Sequence, residues 1–151
     1  MELNSTLTSL NLNSNYLKVI QPLSIKNNST LKKLSIKKNE ITDDGANFIL
    51  TFFNSLTHLN FEGNLIGNNG VKLFSEALFH NSRLTKINLS NNKINTDGAK
   101  SISECLKHNS TLTSLNLSCN KIDVDGAKEI SDMLKHNSIL THLYLQGIKL
   151  I

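Results

Sequence analysis

Three histidines, His80, His108 and His136, recur at 28-residue intervals, and each is followed by Asn-Ser. Histidine is a common metal ligand, so a regular series of them raises the question of a metal centre. A metal needs all its ligands about 2 Å from one point, whereas packed neighbouring elements lie about 10 Å apart. The spacing therefore predicts repeated corners of a duplicated unit and no metal site. Nucleophilic chemistry fares no better. Cys105 and Cys119 are the only cysteines, too few for a disulfide framework, and neither row supplies the base that an active thiol needs. No phosphate loop, paired-carboxylate signature or serine elbow is present. The remaining chemistry is charge. Lys32, Lys33, Lys37 and Lys38 crowd one short stretch, within a net charge of +4 and a pI near 9.1. Arg83 is the only arginine, which argues against nucleic acid, whose readers favour arginine.

The elements that position these groups come from a repeat. The segment Leu112–Ser138 is a near-copy of Leu84–Ser110, a further copy begins at Leu56, and looser ones begin at Leu31 and Leu7. A truncated copy begins at Leu140. Such a chain is a stack of one supersecondary unit, read here as one domain over 1–151 with units starting near 7, 31, 56, 84, 112 and 140. Each unit opens as L-x-x-L-x-L-x-x-N, as in Leu84-Ile87-Leu89-Asn92 and Leu112-Leu115-Leu117-Asn120. Apolar residues at positions four and six have the period of a strand with one buried face. The closing asparagine can bond neighbouring turns through its amide, giving a ladder of Asn15, Asn39, Asn64, Asn92 and Asn120.

The second half of the unit reads as a helix. Ile41, Ile66, Ile94 and Ile122 enter the core, and Thr42, Gly67, Asn95 and Asp123 follow as N-caps. Apolar residues then recur at helical spacing: Ala46-Ile49-Phe53, Val71-Phe74-Leu78, Ala99-Ile102-Leu106 and Ala127-Ile130-Leu134. Gly45, Gly70, Gly98 and Gly126 fall inside helix starts as packing positions. Cys105 shares a column with Ala77, Met133 and Phe52, which predicts a buried, inert thiol. Cys119 lies at the rim. One strand and one helix per unit predict an α/β right-handed solenoid, about six parallel strands on its concave face and helices on its convex face.

These five nearly intact motifs resemble the leucine-rich repeat family, in particular its ribonuclease-inhibitor-like class. Within it the units are similar to those of Ran GTPase-activating proteins, tropomodulin tails and NOD-like receptors. The resemblance implies a non-catalytic protein-interaction module that binds through the concave sheet and needs no cofactor. Two alternatives stand beside it: a GTPase-activating protein of the Ran-activator type, which the resemblance also suggests, or a structural, self-assembling fragment of a larger repeat protein. The first of these would call for a catalytic arginine, and Arg83 stands at a repeat corner. The second would use uncapped terminal strands for self-association.

Outward positions of the motif are three, five and seven. Position three reads Ser9, Lys33, His58, Lys86, Ser114 and His142; position seven includes Lys37 and Glu62; Tyr144 holds position five of the last unit. His58 and His142 share a column but lie three strands apart, too far to share a metal. The candidate partner-binding residues are Lys33, Lys37, His58, Glu62, Lys86 and Tyr144. The lysines predict an acidic protein partner, and tyrosine is a favoured interface anchor. The Asn and Ser that fill the rest of the face read as residue left by repeat duplication.

Departures are confined to the ends. The first unit is short and holds Pro22 where a helix would run, and the second predicts a clipped helix around Asn47 to Phe53. Ile148 replaces the ladder asparagine, so Ile148, Leu150 and Ile151 either cover the end of the core or the chain is a fragment. The chain runs from Met1 straight into a repeat without a signal segment or a membrane-length apolar run, which predicts a cytoplasmic protein, with export as an effector still compatible.

Overall fold

A computed structural model describes residues 4–18, 28–52 and 54–148. The strands are three residues each: β1 (Ser9–Asn11), β2 (Lys33–Ser35), β3 (His58–Asn60), β4 (Lys86–Asn88), β5 (Ser114–Asn116) and β6 (His142–Tyr144). They form one parallel sheet in chain order, with residues at the same motif position paired from strand to strand. The pairing Lys33↔His58↔Lys86↔Ser114↔His142 thus runs as one column across the sheet. Helices α1 (Asp43–Phe52), α2 (Asn68–His80), α3 (Thr96–Leu106) and α4 (Val124–Leu134) connect β2 through β6. α1 is the shortest of them, as the 25-residue spacing from Leu31 to Leu56 predicts. Pro22, Phe53, Leu150 and Ile151 lie outside the described residues, as does the Phe52 side chain.

Positions one, four and six of the inner units, from Leu31 to Leu117, are at most 3% exposed. The four isoleucines that lead into the helices are equally buried. Val71, Phe74 and Leu78 from α2, with Ala99, Ile102 and Leu106 from α3, close the other side of this core. The expected column breaks down on α4. Leu134 is 45% exposed while Met133 is buried, because no described helix covers α4's outer side. Helix starts follow local chemistry: Asn95 Oδ1 accepts from Asp97 N, and Asp123 Oδ1 accepts from Gly126 N. Gly67 has no side chain to cap α2, and its own N–H donates to Asp43 Oδ1 of the preceding unit at 2.6 Å. Gly98 is required by close approach, since a Cβ there would stand 2.6 Å from Ile94 Cγ2 and 2.8 Å from Asn68 Oδ1.

Position eight, just before the ladder asparagine, carries a regularity that the apolar pattern does not reveal. Ser14, Lys38, Gly63, Asn91, Cys119 and Gly147 all take positive φ, between 52° and 70°. Each strand therefore leaves the sheet through a left-handed residue, a conformation that glycine and asparagine tolerate best.

Candidate functional site

The interior asparagines make a repeated set of bonds. Asn92 Oδ1 accepts from Ile66 N, and Nδ2 approaches the carbonyls of Phe61, Leu89 and Ser90. Asn64 and Asn120 make the equivalent bonds one unit away. Asn39 Oδ1 accepts from the backbone of Asn15 and Leu17. Asn15 itself is exposed, and among the described residues its side-chain amide reaches only Asn13 O. A second asparagine series, three residues before the first leucine of every unit but the one at Leu56, escaped the sequence reading. Asn109 Oδ1 accepts from the N–H groups of Thr111 and Leu112 while Nδ2 donates to Leu78 O. Asn28 and Asn137 act alike. The signal was present in the Asn-Ser that follows His80, His108 and His136.

These corners also explain the histidine series. His80 and His108 flank Phe79, with ring centroids 5.3 Å and 6.4 Å away. His136 Nδ1 lies 3.0 Å from Asp132 O. No group of three or more His, Cys, Asp or Glu gathers within metal-binding range among the described residues. Cys105 is buried and its Sγ donates to Ser75 O, and burial pushes its thiol pKa up to about 11. Cys119 is exposed. Arg83 is exposed in the turn between α2 and β4, outside the groove of the sheet.

That groove, about 420 Å³, draws lining residues from all six strands, from Ser9 to Tyr144. The six candidate residues separate into three parts within and beside it. Lys37 Nζ and Glu62 Oε1 form an ion pair of 2.8 Å, and Glu62 Oε2 also accepts from Asn88 Nδ2. Lys33, His58 and Lys86 stand side by side on β2, β3 and β4. Adjacent strands are about 4.8 Å apart, so this row is roughly 10 Å long. Partial burial, followed by the charges of Lys86 and Lys33, holds the His58 pKa below the usual imidazole value. Tyr144, 40% exposed, lies four strands from Lys33 at the other side of the groove. The two further lysines of the basic stretch do not join the row. Lys32 precedes β2 and is not among the residues that line the groove, and Lys38 occupies the left-handed turn.

The position-five asparagines are also more than filler. Asn60, Asn88 and Asn116 each accept from the N–H two residues ahead, closing the strand onto its turn. Such turns fix the direction of the side chains at position seven, Glu62 among them.

A parallel sheet made of one strand per unit, with helices along its back and asparagines between turns, defines an α/β solenoid repeat protein. A family model described as Leucine Rich repeat matches residues 27–50, 54–75, 80–103 and 108–131, and a second Leucine Rich Repeat model matches 6–28. The chain belongs to the leucine-rich repeat family. No curated protein matches it. Among solved structures it is similar to "Leiomodin-1 Actin-Binding Site 2 (ABS2)", with 30% identity and a TM-score of 0.63 over 70% of this chain. This chain covers 62% of that fragment, less than two thirds of its length. The Caenorhabditis elegans tropomodulin C-terminal domain shares the fold at TM-score 0.67 and 15% identity, covering 89% of this chain and 86% of that one. TLR13, solved in a complex with ssRNA13, aligns at 28% identity and TM-score 0.60 over 93% of this chain and 18% of its own. Among the described residues, no helix is long and apolar enough to cross a membrane.

Proposed function

We propose that this chain is a non-catalytic protein-interaction module that holds an acidic partner against the groove of its parallel sheet. The observation that carries the reading is the row Lys33–His58–Lys86, which lines the groove with no carboxylate bridged to it among the described residues. Lys37 is already neutralised by Glu62, so its part is to order the groove wall and that of the row is to attract. Tyr144 adds an apolar anchor with a polar tip at the far side. The likeness to a leiomodin-1 fragment named for actin binding supports a protein as the partner. A single arginine, outside the groove, disfavours both GTPase activation and nucleic-acid binding.

Monomeric actin is the first bait to try, and lysate of the source cell the second. The wild type is compared with a Lys33→Glu, Lys86→Glu, Tyr144→Ala variant whose fold is checked by circular dichroism. A partner held by the wild type should bind the folded variant at least about 30-fold more weakly, the loss of a true hot spot. An unchanged Kd for the same partner removes the groove from the binding site.

A further inference from the structure

The hydroxyls at motif position two form a series of their own. Thr85 Oγ1 donates to Thr57 O, Thr113 Oγ1 to Thr85 O, and Thr57 Oγ1 to Lys32 O. Thr57 Oγ1 has one proton, and this bond uses it. The hydroxyl also lies 2.8 Å from His58 Nδ1, a contact in which the Nδ1–H tautomer lets it accept while it keeps the Lys32 bond. In that tautomer the neutral ring presents a bare Nε2 as its remaining hydrogen-bonding atom. Its neighbours in the same column are the Lys33 ammonium on β2 and the Lys86 ammonium on β4. The other charges around it are Lys37 and Glu62, already bound to each other; β5 offers only Ser114 in the same column.

Two ammonium groups with an acceptor nitrogen between them suit an anion poorly at the centre. Protonation of that nitrogen turns the row into three adjacent donors. We propose that Lys33, His58 and Lys86 bind the side-chain carboxylates of an Asp/Glu-rich segment of the partner, His58 Nε2 taking one proton from solvent as the segment docks. This rests on the groove reading above and gives it a pH dependence. Burial and the flanking lysines already favour the neutral form of the free ring. Carboxylates against the ring reverse that balance, and each unit by which they raise its pKa corresponds to tenfold in affinity between high and low pH.

The test uses N-acetylated, C-amidated hexaglutamate as the probe, at low ionic strength, with Kd measured from about pH 8 to pH 5.5. The wild type should bind roughly fivefold to tenfold more tightly at the lower pH, consistent with about one unit of pKa shift. Histidine-detected NMR should show the His58 pKa rising on saturation and the neutral ring in its Nδ1–H form. In folded His58→Gln the slope with pH should vanish while weak binding persists through the lysines. Lys33→Gln and Lys86→Gln should weaken binding at both pH values. A slope kept in His58→Gln, or a free ring protonated at Nε2, overturns the proposal. Inorganic phosphate shifting the His58 pKa where hexaglutamate does not would overturn the acidic segment as occupant. None of these failures touches the Proposed function, which stands or falls on the actin or lysate partner's response to charge reversal.

Discussion

Asn92 bonds four backbone groups across two units, and its removal leaves the buried Ile66 N–H without a partner while the carbonyls of Phe61, Leu89 and Ser90 each lose one of two donors. An unpartnered buried N–H costs about 1–3 kcal/mol, and each lost carbonyl bond adds a smaller amount. Asn92→Ala should therefore lose roughly 2–4 kcal/mol in urea unfolding, whereas Asn15→Ala, which removes an exposed amide bonded to Asn13 O, should lose under about 1 kcal/mol. Equal losses would deny the ladder its role. Thiol chemistry provides a second residue-scale check. Cys119 is exposed and Cys105 buried, so Ellman's reagent should label one thiol in the folded protein and both in denaturant. The ladder was legible because its asparagines sit at a fixed motif position. The series Asn28, Asn109 and Asn137 was not, because Asn followed within two residues by Ser or Thr is common throughout this chain and its local turn function leaves no apolar period to detect.

At the scale of elements, strand and helix placement followed from periodicity, and the four leading isoleucines are buried as their spacing requires. The left-handed exit from each strand did not emerge, since only Gly63, Gly147 and Asn91 of its six residues advertise it. Lys38 pays a conformational penalty there, so Lys38→Gly should stabilise the protein by up to about 1 kcal/mol, read by denaturant midpoint. Gly98→Ala is the converse case. Its methyl would press on Ile94 and Asn68, and a loss of about 1–3 kcal/mol is expected. The same turn explains why Lys38 separates from the groove. A strand of three residues fixes the pleat only at Lys33–Ser35, and the chain has bent away by position eight.

Over the whole molecule, in-register stacking converts a repeated sequence position into a spatial column, and so Lys33, His58 and Lys86 become neighbours despite separations of 25 and 28 residues. The column was legible from the motif alignment. That motif position seven sets Lys37 beside Glu62 was legible too, but the ion pair they form and the Thr57 contact with His58 were not, because both depend on side-chain geometry. The lowered His58 pKa also carries a stability consequence. The unfolded chain binds this proton more readily than the folded one, so stability is fullest above the ordinary histidine pKa and falls as pH drops through the folded value. Relative to the wild type, His58→Gln should flatten that acid-side decline in urea titrations. Groove binding itself is tested most directly by comparing two charge reversals of equal size. Lys33→Glu, Lys86→Glu alters the groove, and Lys72→Glu, Lys100→Glu alters exposed positions on α2 and α3. Measured against the captured partner at fixed salt, the groove variant should lose binding at least about 30-fold while the helix variant stays within about threefold. Equal losses would reduce the effect to net charge, and a loss confined to the helix variant would move the partner to the opposite face.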